Sequence, residues 1–547
     1  MKILENIKSN KIILYTTLIV LGIVSILPMF FMEGIPHYYP EDTLFHLSRV
    51  KGFENVWSSP VNYNSFDGMG SYVNVFYPWL TLYPMHLLLF LFSDYVIAYK
   101  VYLALLGIVT IFIAFYSGKL VSGKNVSAFC FAVLYCFSSY RFICVFRRAA
   151  LGESIAMAIL PLVFAALYLI LFSDYRKWFL LSLGFAFLTY THLLSLYMSA
   201  GFVLVFFLIC IPYLHDRRVR LYAFIKACFS SVIMSLGVII PVLTAGIENL
   251  IYSPEGDIDD LVSNSTSFPT FIKNSVLNDA SARSIGLILL IVIIIDAIAI
   301  IIKVDIRKRV YSTVCFTAGI VLLLIECSAL FWRSIGSISF LRIIQYPWRL
   351  NAYISLFFLI SFSVILARID LKNKSMIVLV TLLVLSSAFI EFFSAYKLYP
   401  EREINLNDEI INGISVSYLD YSPYRAAVYR SVDWSILDNA YMDGEVIDVT
   451  RSVSEDGTIL TFGIDDGMQG SIVELPVYWF SSIVAFDNGV QVDSYLSDRG
   501  TVRLELNSLG SNTIELFHKY SYAVYISWII SALTFVYLFY QYILKKS

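Results

Sequence analysis

Long apolar runs separated by short polar ones make up most of this chain. Runs of roughly 17–25 apolar residues, the length a helix needs to cross about 30 Å of hydrocarbon, occupy Ile12–Phe31, Val96–Tyr116, Val126–Val145, Ser154–Phe172, Leu193–Tyr213 and Leu221–Ala245. Others occupy Ile285–Ile302, Val310–Trp332, Leu350–Ala367, Met376–Phe393 and Ala523–Leu544, with a shorter one at Phe179–Thr191. The pattern predicts a polytopic α-helical membrane protein of about 12 transmembrane helices. One more apolar run, Phe76–Phe92, is broken by Pro78, Pro84 and His86, which predicts a re-entrant or interfacial segment that does not cross.

Three polar segments are too long to be mere connections: Met32–Tyr95, Gly246–Ser284 and Ser394–Ser521. In the last, the pattern changes from long apolar runs to short β-rich stretches at Thr458–Ile464, Ser471–Leu475, Val490–Leu496, Thr501–Leu506 and Thr513–Leu516. Turn signals separate them at Glu455-Asp456-Gly457, Asp465-Asp466-Gly467, Asp487-Asn488-Gly489 and Asp498-Arg499-Gly500. The organisation read from this is a membrane module over residues 1–393, an extracytoplasmic β-sandwich or jelly-roll-like domain over 394–521, and a final helix with a basic tail over 522–547.

Composition agrees with a bilayer as main solvent, since 58% of the 547 residues are hydrophobic and 15% charged. A net charge of −2 gives no footing for nucleic acid, and what matters is where the charges sit. Lys2, Lys8 and Lys11 precede the first run with no small-residue cleavage site after it, which predicts an uncleaved anchor. Counting onward, Lys119 with Lys124, Arg176 with Lys177, Arg217-Arg218 with Arg220, Arg307-Lys308-Arg309, Arg368 with Lys372 and Lys374, and Lys545-Lys546 all fall on one side. The positive-inside rule then places both termini in the cytoplasm of a cell-membrane protein. All seven cysteines lie in or beside apolar runs, so neither a disulfide framework nor zinc spacing is present.

Candidate chemistry collects on the opposite side. In Tyr39-Pro40-Glu41-Asp42-Thr43-Leu44-Phe45-His46-Leu47-Ser48-Arg49, Pro40 suits a helix start, and Asp42, His46 and Arg49 then fall at i, i+4 and i+7 on one face. An acid, an imidazole and a guanidinium at the membrane surface can deprotonate a hydroxyl and hold a phosphate. The same spacing also suits a solvated amphipathic helix. Arg141, Arg147 and Arg148 break the charge rule on an outer loop, as do Arg333, Arg342 and Arg349 on another. Their forked guanidinium groups fit phosphate oxygens, although arginines can also snorkel to headgroups. Glu153 opens a predicted span, where it either serves the site or complements the helix dipole. His192, at an outer helix end, either lines the same cavity or makes a helix-packing hydrogen bond.

Asp42 through Arg49, Phe76-Tyr77-Pro78 with Leu82-Tyr83, Tyr140-Arg141, Arg148 through Glu153, His192-Leu193-Leu194-Ser195 and Gln345-Tyr346-Pro347-Trp348-Arg349 resemble, in order, the bacterial membrane proteins labelled "6-pyruvoyl-tetrahydropterin synthase-related". That family is similar to the YfhO-type proteins and, more remotely, to the GT-C superfamily of membrane glycosyltransferases. The resemblance runs from the first external loop to the final span. It implies a GT-C-like fold, with Asp42 matching the acid that GT-C enzymes place beside a cavity for a polyprenyl-phosphate sugar. Pterin chemistry is not implied. Glu41, next to Asp42, departs from the family pattern and leaves open whether the acids hold Mg²⁺ or Mn²⁺ or act without metal.

The expectation is an inverting glycosyltransferase that takes a sugar from a polyprenyl-phosphate donor to an extracytoplasmic acceptor, an envelope glycopolymer or protein. Asp42, with Glu41, would be base or metal ligand and His46 its orienter. Arg49, Arg141, Arg148, Glu153, His192 and Arg349 would form the substrate and phosphate site. A transporter or flippase of lipid-linked sugars or polymers is the alternative; its marks would be mid-span ionisable residues or paired broken helices, which are scarce, Asp296 and Glu326 being the main intramembrane acids.

Overall fold

The computed structural model describes residues 11–36, 40–252, 257–279, 283–302, 309–368, 374–398, 403–404, 420–431 and 437–541. The protein is mostly helical, with an all-β region near the C-terminus. Among the described residues, six helices are long and apolar enough to cross a membrane: Tyr95–Ser122, Leu151–Phe172, Leu193–Tyr213, Pro347–Leu366, Val380–Lys397 and Tyr522–Phe539. Three bent pairs raise the number to nine if each counts as one span. They are Asn125–Cys136 with Ser139–Arg147 (41°), Arg217–Met234 with Leu236–Glu248 (63°) and Val310–Glu326 with Ala329–Ile335 (83°). A serine stands at each break: Ser138, Ser235 and Ser328. Ser328 caps the helix after it, accepting from the Phe331 N–H at 3.1 Å, so a side chain satisfies a backbone donor that would otherwise require the helix to continue.

The remaining expected crossings are short. Lys11–Val24 gives way to a 3-10 turn at Leu27–Phe31; Phe179–Thr189 and Leu287–Ile301 have 11 and 15 residues. At about 1.5 Å per residue these measure roughly 17–23 Å, less than the hydrocarbon thickness. The Phe76–Phe92 run is a helical turn at Val73–Phe76, an irregular stretch, and a ten-residue helix at Tyr83–Phe92. That helix is roughly 15 Å long and too short to span. The helix that begins at Lys374 continues to Leu398, past the expected domain boundary at 393.

A two-residue strand, β1 (Ile35–Pro36), pairs with β2 (Glu403–Ile404). Beyond it, β3 (Ala440–Met442), β4 (Glu445–Ile447), β5 (Thr450–Val453), β6 (Leu460–Gly467), β7 (Ile472–Tyr478), β8 (Ile483–Asp487), β9 (Val490–Val492), β10 (Ser494–Leu496), β11 (Thr501–Glu505) and β12 (Gly510–His518) form two antiparallel sheets. Their orders are β10-β11-β7-β3-β4 and β5-β6-β12-β8-β9. Alternation sets the inward faces, with Leu460, Phe462 and Ile464 of one sheet and Val473, Leu475 and Val477 of the other in one core. The turn expected at Asp465-Asp466-Gly467 is instead the end of β6, which pairs through a register shift opposite Gly510 and Asn512. Asn488 and Gly489 (φ +48° and +79°) do form the expected hairpin turn between β8 and β9.

The β core is not confined to residues 394–521. Val61, Tyr63, Met69, Tyr72 and Val75, from the segment Met32–Tyr95, are buried in it. Tyr72 stacks on Phe480 with ring centroids 3.8 Å apart. The Tyr478 N–H donates to Met69 O at 2.9 Å, and the Tyr63 N–H to Gly457 O at 2.8 Å. The loop that leads to the candidate site is thereby fixed by the two sheets.

Candidate functional site

The helix Pro40–Lys51 forms where expected. His46 and Arg49 are buried on one face, 4% and 1% exposed, and Asp42 is half-buried; the Glu41 side chain lies outside the described residues. Arg49, expected to grip phosphate, is occupied by protein groups. Its Nε donates to Asn74 Oδ1 (3.1 Å), its Nη2 to the carbonyls of Tyr77 (2.8 Å) and Pro78 (2.9 Å), and its Nη1 lies 3.3 Å from His46 Nδ1. Burial, and next the Arg49 charge, hold His46 well below its ordinary range. The neutral ring therefore accepts from Arg49. Burial lowers Arg49 only to about 10, so it stays charged at neutral pH.

Arg49 shapes the bend at Tyr77-Pro78, where the residue before proline is extended (Tyr77 φ −106°, ψ 108°). Tyr77 is the residue around which the site assembles. The Arg49 guanidinium lies over its ring at 4.2 Å. The His46 ring meets it edge-on at 5.6 Å, and the His192 ring is 5.9 Å away. A Cβ built on Gly152 would collide with Tyr77 Oη and fall 3.1 Å from His192 Cδ2. Burial raises the Tyr77 phenol to about 12 against the opposing pull of Arg49, and Asp42, Arg349 and Glu153 are near enough to bear on it.

Glu153 sits in the first turn of the helix Leu151–Phe172, where the dipole favours an anion. It accepts from Tyr140 Oη at 2.6 Å and Arg148 Nη1 at 2.7 Å, and lies 4.0 Å from Arg349 Nε. Arg148 follows a π-helical turn at Ile143–Arg147, and its N–H donates to Ile143 O, a distortion recurrent at functional sites. Arg349 Nη1 also donates to Ile344 O at 3.0 Å and to Gln345 Oε1. His192 precedes the helix Leu193–Cys210, with Nδ1 2.8 Å from Ser195 Oγ. Burial and next the Arg349 charge bring it down to about 3, so it too is neutral. A small cavity of ≈10 Å³, lined by Glu153, His192, Ser195, Arg349 and Tyr353 among others, is large enough for about one water.

The fold thus brings Asp42, His46, Arg49, Arg148, Glu153, His192 and Arg349 together; the Asp42 charge reaches Arg148 as well as Tyr77. Arg141 stands apart in role. It is fully buried and donates from Nη1 to Cys136 O at 2.8 Å, which satisfies a carbonyl at the end of the helix Asn125–Cys136. Among the described residues no three His, Cys, Asp or Glu side chains gather in a metal-holding arrangement; of the expected pair Asp42 and Glu41, the Glu41 side chain lies outside those residues.

Two contributors escape the reading of the sequence. Tyr77 belongs to a quoted motif without an assigned role. Tyr421 comes from the far end of the chain: its N–H donates to Tyr252 O at 2.9 Å, the Tyr252 N–H donates to Ser422 O at 2.9 Å, and its ring stacks on Phe76 (5.6 Å, 4°). Tyr77, Arg49 and Arg349 all lie within electrostatic reach of its phenol.

Beside the polar cluster runs an apolar groove of ≈790 Å³, bounded by Asn74 and Pro78, by Ile155, Ala158 and Ile159 on the Glu153 helix, and by Trp528 and Phe535 on the last helix. Leu105, Val109, Phe187 and Val536 line its exposed side. No protein-family profile matches the chain, and no curated protein sequence matches it.

Proposed function

We propose that this chain is a GT-C-like membrane glycosyltransferase with about twelve crossings, which moves a sugar from a polyprenyl-phosphate donor to an extracytoplasmic acceptor such as a cell-envelope glycopolymer. The observation that carries the reading is the junction of groove and cluster. Asn74 and Pro78 wall the groove and also hold Arg49, while the helix that walls it further along carries Glu153 between two arginines. A ligand with a long apolar chain and a phosphate at its end would match this juxtaposition, its chain along the groove and its phosphate toward Arg148 and Arg349.

In this mechanism an acceptor hydroxyl attacks the anomeric carbon. The new C–O bond forms as the bond to the phosphate oxygen breaks; that oxygen leaves with the electron pair, and Asp42 takes the hydroxyl proton. Arg148 and Arg349 meet the charge that grows on the departing phosphate. Because both face Glu153, donor phosphate enters by competing with that carboxylate. Arg49 and His46 keep Tyr77-Pro78 in place.

The transporter alternative draws on Asp296 and Glu326, which are 0% and 1% exposed within the helices Leu287–Ile301 and Arg309–Glu326, since intramembrane acids mark many transport paths. Incubating the purified protein with a panel of polyprenyl-phosphate sugars separates the two. Release of polyprenyl phosphate with sugar transfer supports the enzyme; passage of intact lipid-linked sugar across a liposome bilayer, with no release, would sink it.

A further inference from the structure

The segment Asp420–Tyr424 runs antiparallel to Leu250–Tyr252, closed by Tyr421 N–H to Tyr252 O (2.9 Å) and Tyr424 N–H to Leu250 O (2.8 Å). At its start Tyr421 has φ +65°, the left-handed region that a bulky side chain rarely adopts and where glycine carries no strain. Backbone strain of this kind persists where the surroundings hold it, often beside a functional group. Here the strain turns the Tyr421 ring onto Phe76, the neighbour of Tyr77, and against the Phe45, Phe66 and Val73 cluster. Tyr421 and Phe76 are both half-buried, so part of the stacked pair remains exposed. Asp420, the preceding residue, is also half-buried.

We propose that Tyr421, Phe76 and Asp420 form the subsite for a carbohydrate acceptor, supplied from beyond the membrane module. The proposal rests on the transferase reading and adds to it the chemical class of the acceptor and the place where it docks. A sugar ring offers C–H groups to an aromatic surface and hydroxyls to a carboxylate, and the stacked rings with the adjoining acid present both. Phe76 adjoins Tyr77 in the chain, and Tyr77, Arg49 and Arg349 lie within electrostatic reach of the Tyr421 phenol, so an acceptor held on this pair would adjoin the polar cluster.

The strain supplies the test. Tyr421→Gly removes the ring but suits the positive φ, so the turn is kept or stabilised; Tyr421→Phe keeps the ring and loses only the hydroxyl. Binding of methyl glycosides of glucose, galactose and N-acetylglucosamine to wild type and variants is measured by saturation-transfer NMR, which needs no turnover. Retention of undecaprenyl phosphate is measured alongside. Expected is saturable binding of at least one glycoside to wild type, nearly retained in Tyr421→Phe and weakened roughly tenfold in Tyr421→Gly and Asp420→Asn, about the value of one ring contact or one polar contact, with undecaprenyl phosphate retention unchanged. Equal glycoside binding by wild type and Tyr421→Gly, or no binding of any of the three by wild type, overturns the subsite. If glycosides bind as expected while no donor sugar is ever released, the subsite stands and the transferase reading falls.

Discussion

The phenol oxygen of Tyr77 rests against the Cα of Gly152, in space that any other side chain at position 152 would occupy. Two segments, 75 positions apart by number (152 − 77), thus approach so closely that neither can change alone. Gly152→Ala forces the phenol away from His192 and strains the bend held by Arg49. Overpacking of this kind costs about 1–3 kcal/mol. The expected outcome is a lower melting temperature and slower sugar transfer, with partial recovery in the double variant Gly152→Ala/Tyr77→Phe, which removes the clashing oxygen. A Gly152→Ala protein with wild-type melting and turnover would show that the contact is dispensable.

Glu153 is the counter-ion of Arg148 and a neighbour of Arg349. Glu153→Gln keeps its shape but leaves the two guanidinium groups without their anion, and breaking a buried pair costs on the order of 3 kcal/mol. An incoming phosphate can replace the lost charge. The variant should melt well below wild type in phosphate-free buffer, and undecaprenyl phosphate should raise its melting temperature by more than it raises that of wild type. An equal ligand-induced rise in both proteins would argue against phosphate binding between these arginines.

Asp42→Asn removes the proposed base with little change in shape. Sugar transfer should drop by about 10²–10⁴, while melting shifts little because Asp42 is only half-buried. Arg148→Lys keeps a charge but loses the fork, and should weaken donor use more than it slows saturated turnover. Near-normal transfer by well-folded Asp42→Asn would remove Asp42 from the reaction.

Acid should loosen the protein through its buried imidazoles. Burial holds His192 and His518 down to about 3, from an ordinary 6.5, and depresses His46 as well. Between those values the unfolded chain binds more protons than the folded one. Stability is therefore complete above about pH 6.5 and declines as pH falls toward 3. Melting temperatures from pH 8 to pH 5 should show the decline. His518→Gln, which keeps a polar partner for Ser482 Oγ (2.7 Å from His518 Nδ1) but cannot titrate, should make it shallower. The same slope in both proteins would exclude His518 as a contributor.

Much of the site was legible because ionisable residues stand out beside apolar runs. Asp42, His46, Arg148, Glu153, His192 and Arg349 meet although up to 307 positions (349 − 42) separate them in the chain. Their roles were less legible. The spacing that puts Arg49 on the face of Asp42 says nothing of the carbonyls of Tyr77 and Pro78, which take its donors. Tyr77 and Tyr421 were hidden among 38 tyrosines, because an aromatic residue fits a core, a membrane interface or a site equally well by composition. The bends were hidden in a similar way: Val310–Trp332 reads as one apolar run, and only Ser328 reveals the 83° turn. The end of β6 was misread because Asp-Asp-Gly suits a hairpin locally, whereas pairing of Gly467 with Gly510 draws those residues into the sheet.

The segment 61–75, threaded into the β core, limits how such proteins can be recombined. A domain exchange cut at residue 394 would look clean along the chain, yet the incoming sheets would need their own counterpart to Val61, Tyr63, Met69 and Tyr72. Without it, Tyr72 loses Phe480, and the chain leading from it to Asn74, Tyr77 and Pro78 loses its anchor in the sheets. The β domain is therefore inherited together with residues 61–75, and changes on either side of that seam are expected to be tolerated only in matched pairs.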